Sequence, residues 1–137
     1  MQNFFMGKGN LASSPELKVI NGANGDFEVA TMRVMFARWG RDKETGETVQ
    51  VGGFWREVEI YGYKASDVAK HLRKGSRVLV IGEERDFMAK DENGNEVQVI
   101  KIIAEDVGLI LTRIEKIIFS APSGRGTQDQ APARTEG

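Results

Sequence analysis

Cysteine is absent from the 137 residues, histidine occurs once and proline three times. The first absence excludes disulfide frameworks, thiolate metal sites and cysteine nucleophiles together. The single histidine, His71, stands among Lys70, Arg73 and Lys74. That setting suits a solvated or capping imidazole, whereas acid–base catalysis needs a partnered group in a pocket. "DENGNE" resembles a calcium loop only loosely, and the glycines of "GKGN" do not precede a strand-to-helix turn that could cradle phosphate. Neither an enzyme, nor a metal, nor a cofactor is expected. Long apolar runs are lacking too. The stretch around "VGLIL" is far too short to span a bilayer, and the start "MQNFFMGKGN" has no basic region followed by an apolar run, as a secretory signal would. A cytoplasmic location is therefore expected. Nor is there an excess of one charge: 19 Lys and Arg against 20 Asp and Glu leave a formal charge of -1. Any surface for a polyanion has to be local.

What is present is mostly strand signal. Residues 26–39, "DFEVATMRVMFARW", alternate so that Ala30, Met32, Val34 and Phe36 share one face, which reads as core. Thr31, Arg33, Met35 and Trp39 share the other. "FWREVEIYG" alternates in the same way, setting Phe54, Val58 and Ile60 opposite Trp55, Glu57, Glu59 and Tyr61. The connection between these strands holds "KETGE" and "GG", and its length predicts a long mobile hairpin. "SRVLVIGEERDFMA" and "EVQVIKIIAEDV" form a second hairpin, turning at Asn93-Gly94, residues that tolerate positive φ.

One segment reads as a short helix: "SDVAKHLRKG" has Ser66 as its N-cap, Val68 and Leu72 on one side, and Gly75 as its stop. The N-terminal region adds a strand or two around "NFFM" and "ELKVI". About five strands with a helix between the third and fourth suit an all-β, five-stranded Greek-key barrel of the oligonucleotide-binding (OB) type, placed at residues 1–111. Residues 112–119 form an apolar extension. Within "LILTRIEKIIF", Leu111, Ile114, Ile117 and Ile118 fit one side of a helix, while "TRIEKI" also permits a strand; packing on the barrel or on a neighbouring subunit is expected. Residues 120–137 hold no aliphatic side chain larger than alanine and predict a disordered tail.

The aromatic rings fall on sheet surface or at strand ends. Trp39 shares a face with Arg33, Trp55 and Tyr61 share the outward face of the next strand, and Phe87 follows "GEER". Arg41, Lys43, Lys74, Arg85 and Lys90 are interspersed in the adjoining loops. Rings interleaved with cations suit single-stranded nucleic acid: stacking is indifferent to base identity and cations track the phosphates. Two observations weigh on the other side. Surface aromatics in strands are often covered by another sheet or a subunit, and Glu57 and Glu59 stand between Trp55 and Tyr61, where they repel phosphate. A protein-interaction module built on the same barrel, with weak or no DNA binding, is the alternative.

In order along the chain, "GNLASSPELK", "VATMRVMF", "WREVEIYG", "HLRKGSRVLVIGE" and "AEDVGLI" resemble segments of the bacterial-type single-stranded DNA-binding proteins, over about residues 6–111. The resemblance implies an OB barrel assembled as a homotetramer, or as a dimer, that coats single-stranded DNA in replication, recombination and repair. It implies stacking roles for Trp39, Trp55 and Tyr61, and phosphate contacts at Lys43, Lys74 and Arg85. Ala89 stands where many members carry a further tryptophan, leaving Phe87 as the nearest ring facing the same way. Arg56 stands where many have histidine and Glu57 where many have arginine, so a basic contact has moved to Arg56. The family's acidic tip ending in Pro-Phe, which recruits replication and repair enzymes, has no counterpart in "APARTEG". Recruitment by that route is not expected.

Overall fold

Residues 3–122, which the computed structural model describes, form six strands and one helix. In chain order these are β1 (Phe4–Leu11), β2 (Glu16–Gly22), β3 (Gly25–Arg41), β4 (Thr48–Tyr61), α1 (Tyr63–His71), β5 (Arg77–Lys90) and β6 (Glu96–Leu109). The sheet runs β1-β5-β6-β4-β3-β2, and β1 also pairs with β3, which closes it into a barrel. Every pairing is antiparallel except that of β4 with β6. The N-terminal region contributes two strands, so the helix follows the fourth strand in chain order.

The alternation in β3 carries the core. Ala30, Met32, Val34 and Phe36 are all buried, and Val58 and Ile60 of β4 meet Val78 and Val80 of β5 and Ile102 of β6 across the interior. Each fully buried aliphatic side chain contributes roughly 1.5–3 kcal/mol. α1 closes one end through Ala65 and Val68, followed by Leu72, an i, i+3, i+7 stripe. Lys70 and His71 lie in its last turn, where cations complement the helix dipole. Lys64 ties the helix to β6, donating to the Glu105 carbonyl at 3.0 Å and to Asp106 Oδ1 at 2.9 Å.

Three local expectations need correction. The helix starts at Tyr63, with Gly62 rather than Ser66 in the cap position and no side-chain cap. Gly62 has φ 88°, so its backbone makes the reversal out of β4 that begins the helix ahead of Ser66. Gly75 lies beyond the helix end, in the turn leading to β5.

The β3–β4 hairpin is long, as expected, but its glycines are not all in the connection, which is a short turn over residues 42–47. The Asp42 and Gly46 amides donate to the Glu47 and Asp42 carbonyls at 2.8 Å, and Asp42 Oδ1 accepts from the Glu44 amide at 2.7 Å. "GG" belongs to β4, next to a bulge opposite Arg38 and Trp39. Gly53 has φ 141°, and a Cβ there would stand 2.6 Å from the Phe36 carbonyl oxygen, so only glycine fits.

Finally, "LILTRIEKIIF" is neither helix nor strand after Leu109. The Ile110 amide still donates to the Arg77 carbonyl at 2.9 Å, but Leu111, Ile117, Ile118 and Phe119 are exposed. The second hairpin turns as expected at Gly94 (φ 83°), with Asp91 Oδ1 accepting from the Asn93 and Asn95 amides. The tail expected over residues 120–137 lies outside the described residues from 123 onward.

Candidate nucleic-acid interface

Alternation turns the residues between the core positions of β3, β4, β5 and β6 outward. Register then sorts them into rows: Arg33 faces Glu57, Glu57 faces Lys101 and Lys101 faces Arg85, while Met35 faces Trp55 and Phe87 faces Val99. β4 and β6 pair only at residues 57–60 and 101–104. Beyond that seam β3–β4 and β5–β6 continue as two separate two-stranded arms. Trp55 stands at the root of the first arm and Trp39 farther along it; Phe87 is on the second, and Tyr61 lies at the barrel end of β4.

The four rings are left open to solvent to a similar degree: Trp39 52%, Trp55 46%, Tyr61 42% and Phe87 41%. None of them is part of the interior cluster. Three of the rings have polar neighbours. The Arg33 guanidinium lies 5.2 Å from the Trp55 ring centroid and Lys101 Nζ 5.5 Å from that of Phe87, both within cation–π range. The Tyr61 hydroxyl donates to Glu59 Oε1 at 2.9 Å, and Lys101 Nζ stands 3.2 Å from Glu59 Oε2. Burial, followed by the hydrogen bond and charge of Glu59, pushes the Tyr61 phenol above its ordinary 10.0. The ring is neutral near pH 7, as an unshifted phenol also is.

This network disposes of half the objection from the acids. Glu59 is neutralised by Lys101, and its side chain is only 13% exposed. Glu57 remains exposed but lies in a row with three cations, Arg33, Lys101 and Arg85. Arg85 Nε is 2.9 Å from Glu83 Oε1, on the same outward face.

The remaining expected contacts divide. Arg41 and Lys43 are at the tip of the first arm, with Arg41 Nη1 donating to the Gly46 carbonyl at 3.4 Å, and Lys90 ends β5 at the tip of the second. Lys74 is exposed in the turn before β5, its amide donating to Ser14 Oγ at 3.0 Å. Arg56 is not on the ring face. It points to the side of Val58 and Ile60, its guanidinium 4.6 Å from the Phe54 centroid and its Nε 3.5 Å from Glu84 Oε2.

Lys101 was missing from the expectations, because only the parallel pairing of β4 with β6 brings it beside Glu59. Its position between Ile100 and Ile102 in an alternating run was the one available sign.

The same fold occurs in solved structures. A small single-stranded DNA-binding protein from Streptomyces coelicolor superposes with a TM-score of 0.69 at 22% identity, over 82% of this chain and 99% of that one. An SSB from Plasmodium falciparum, in complex with ssDNA, superposes with a TM-score of 0.63 at 29% identity, over 80% of this chain and 96% of that one. A sequence profile matches residues 1–110, which takes in the barrel, both arms and all four rings. With that match over most of its length, the chain belongs to the single-strand binding protein family.

Proposed function

We propose that the outward face of β3, β4, β5 and β6 grips single-stranded DNA, with unpaired bases stacked on Trp39, Trp55, Tyr61 and Phe87. Single-strand binding follows from the family; the site is our reading. The observation that carries it is the set of four half-exposed rings on one side of a closed barrel, interleaved with Arg33, Arg85 and Lys101. Each stacked base contributes roughly 1–3 kcal/mol whatever its identity. Arg41, Lys43, Lys74 and Lys90 supply phosphate contacts at the arm tips and the barrel end.

Mechanistically the protein is a stoichiometric binder that catalyses nothing. Because it binds the single strand and not the duplex, mass action favours open DNA without ATP. It protects strands exposed in replication, recombination and repair in the cytoplasm, and no helix among the described residues is long and apolar enough to cross a membrane. Assembly into a homotetramer wraps the strand around several such faces.

Titration of tryptophan fluorescence with a homopyrimidine oligonucleotide tests the reading. Quenching at low salt with weak response to duplex is expected. Absence of quenching, or equal affinity for duplex, overturns it. Light scattering with and without the oligonucleotide reports the assembly.

A further inference from the structure

A cavity of about 1010 Å³ opens on the outside of the barrel beside Trp39. Its walls include Arg73, Lys74, Arg77 and Arg113, and no Asp or Glu is among the described residues that line it. Two segments supply much of its lining: the turn between α1 and β5, and the chain leaving the barrel, with Leu109, Ile110, Thr112, Arg113 and Ile114. Four cations without a carboxylate make a local field for a polyanion in a chain whose net charge is -1.

The cleft continues the ring face. Trp55 pairs with Met35, Met35 with Asn10 and Asn10 with Arg77, so one row of outward positions crosses β4, β3, β1 and β5. Strands are spaced about 4.8 Å apart, which makes that row roughly 14 Å long. Asn10 and Arg77 both line the cleft, and Arg77 Nη1 donates to Asn10 Oδ1 at 2.9 Å. Trp39 belongs to both places. Arg113, on the segment leaving the barrel, is among the described residues the one non-glycine residue with positive φ, 62°.

We infer that residues 109–114 are part of the DNA site, and that the cleft they wall takes the sugar–phosphate backbone of the single strand after it passes Trp39 and Trp55, with Arg113 as a phosphate contact. The inference rests on the ring-face reading above and extends the site beyond residue 110, where the family match ends. An acidic protein segment has the same charge, but the row of positions linking Trp55 to Arg77 favours the strand already lying on the rings.

The test uses the full chain and two substitutions. Arg113→Gly suits the backbone at φ 62° and removes the charge; Arg113→Lys keeps the charge. Affinity for a homothymidine oligonucleotide is measured by tryptophan quenching over a range of NaCl concentrations, with thermal melting as a control on folding. For Arg113→Gly the slope of log K against log salt is expected to flatten by about 0.7, with affinity lowered several-fold at low salt. Arg113→Lys is expected to keep the wild-type slope. A wild-type slope in Arg113→Gly overturns the inference. So does a poly-glutamate peptide that binds the wild type and is lost in Arg113→Gly while the DNA slope stays unchanged. Failure of the ring-face reading looks different, because the wild type itself then shows no quenching.

Discussion

The Tyr61 hydroxyl donates to Glu59 Oε1 at 2.9 Å, two positions away on the outward face of β4. A carboxylate there looks hostile to DNA, yet its hydrogen bond fixes the orientation of a ring on the proposed stacking face. Folding raises the phenol above its ordinary 10.0, so the folded state holds more protons than the unfolded one between that value and the raised one. The contribution to stability is complete below the window and falls as pH rises through it. Lys64 shifts in the same direction through its hydrogen bond to Asp106. Replacing Glu59 by Gln is expected to move the Tyr61 titration back toward 10.0, read as tyrosinate absorbance in a difference titration against Tyr61→Phe. DNA affinity of the parent is expected to be flat across about pH 7–9, where the phenol stays neutral.

Removal of a ring separates stacking from charge. Trp55→Ala is expected to cost about 1–3 kcal/mol of binding free energy for an oligonucleotide that covers the site, and Trp55→Phe distinctly less. Titrations at several salt concentrations check this, with the loss nearly constant across them. A loss confined to low salt would assign Trp55 a mainly electrostatic part, through Arg33.

Arg56 is expected to behave as a packing residue. Its guanidinium covers Phe54, and Nη1 donates to the Trp55 carbonyl at 3.0 Å. Arg56→Ala should lower the midpoint of thermal or urea unfolding, at a cost of roughly 1–2 kcal/mol. The salt slope of DNA binding should be unchanged. A flatter slope with unaltered melting would return Arg56 to the phosphate contacts.

Gly53→Ala adds a Cβ at φ 141° within 2.6 Å of the Phe36 carbonyl oxygen. A destabilisation of more than about 1 kcal/mol is expected, concentrated in the first arm. Hydrogen exchange should quicken in residues 37–52 before it does in the barrel core. Quenching of Trp39 by DNA should weaken together with it.

How much of this was legible in the sequence depended on range. The core face of β3, with Ala30, Met32, Val34 and Phe36, followed from alternation because a strand's own pleat decides it. The same alternation already set Arg56 with Val58 and Ile60; family likeness, not pattern, had put it among the DNA contacts. Ser66 misled because a cap is chosen by backbone geometry, and Gly62 supplies that geometry earlier. Gly52 and Gly53 looked like a turn because glycine marks a turn and a bulge equally well. The pairing of Glu59 with Lys101 spans 42 residues of chain and a parallel seam, which no local pattern reports. The cleft beside Trp39 was hidden for the same reason, since its walls come from β1, β3, the α1–β5 turn and the chain after β6.

The shortness of the parallel seam has a mechanical consequence. Only residues 57–60 and 101–104 stitch β4 to β6, so each hairpin beyond them is cantilevered from the barrel wall. Rocking one cantilever against the other breaks no ladder hydrogen bond inside either. How stiffly the two arms are held relative to each other is thus set largely by the few backbone bonds of that seam.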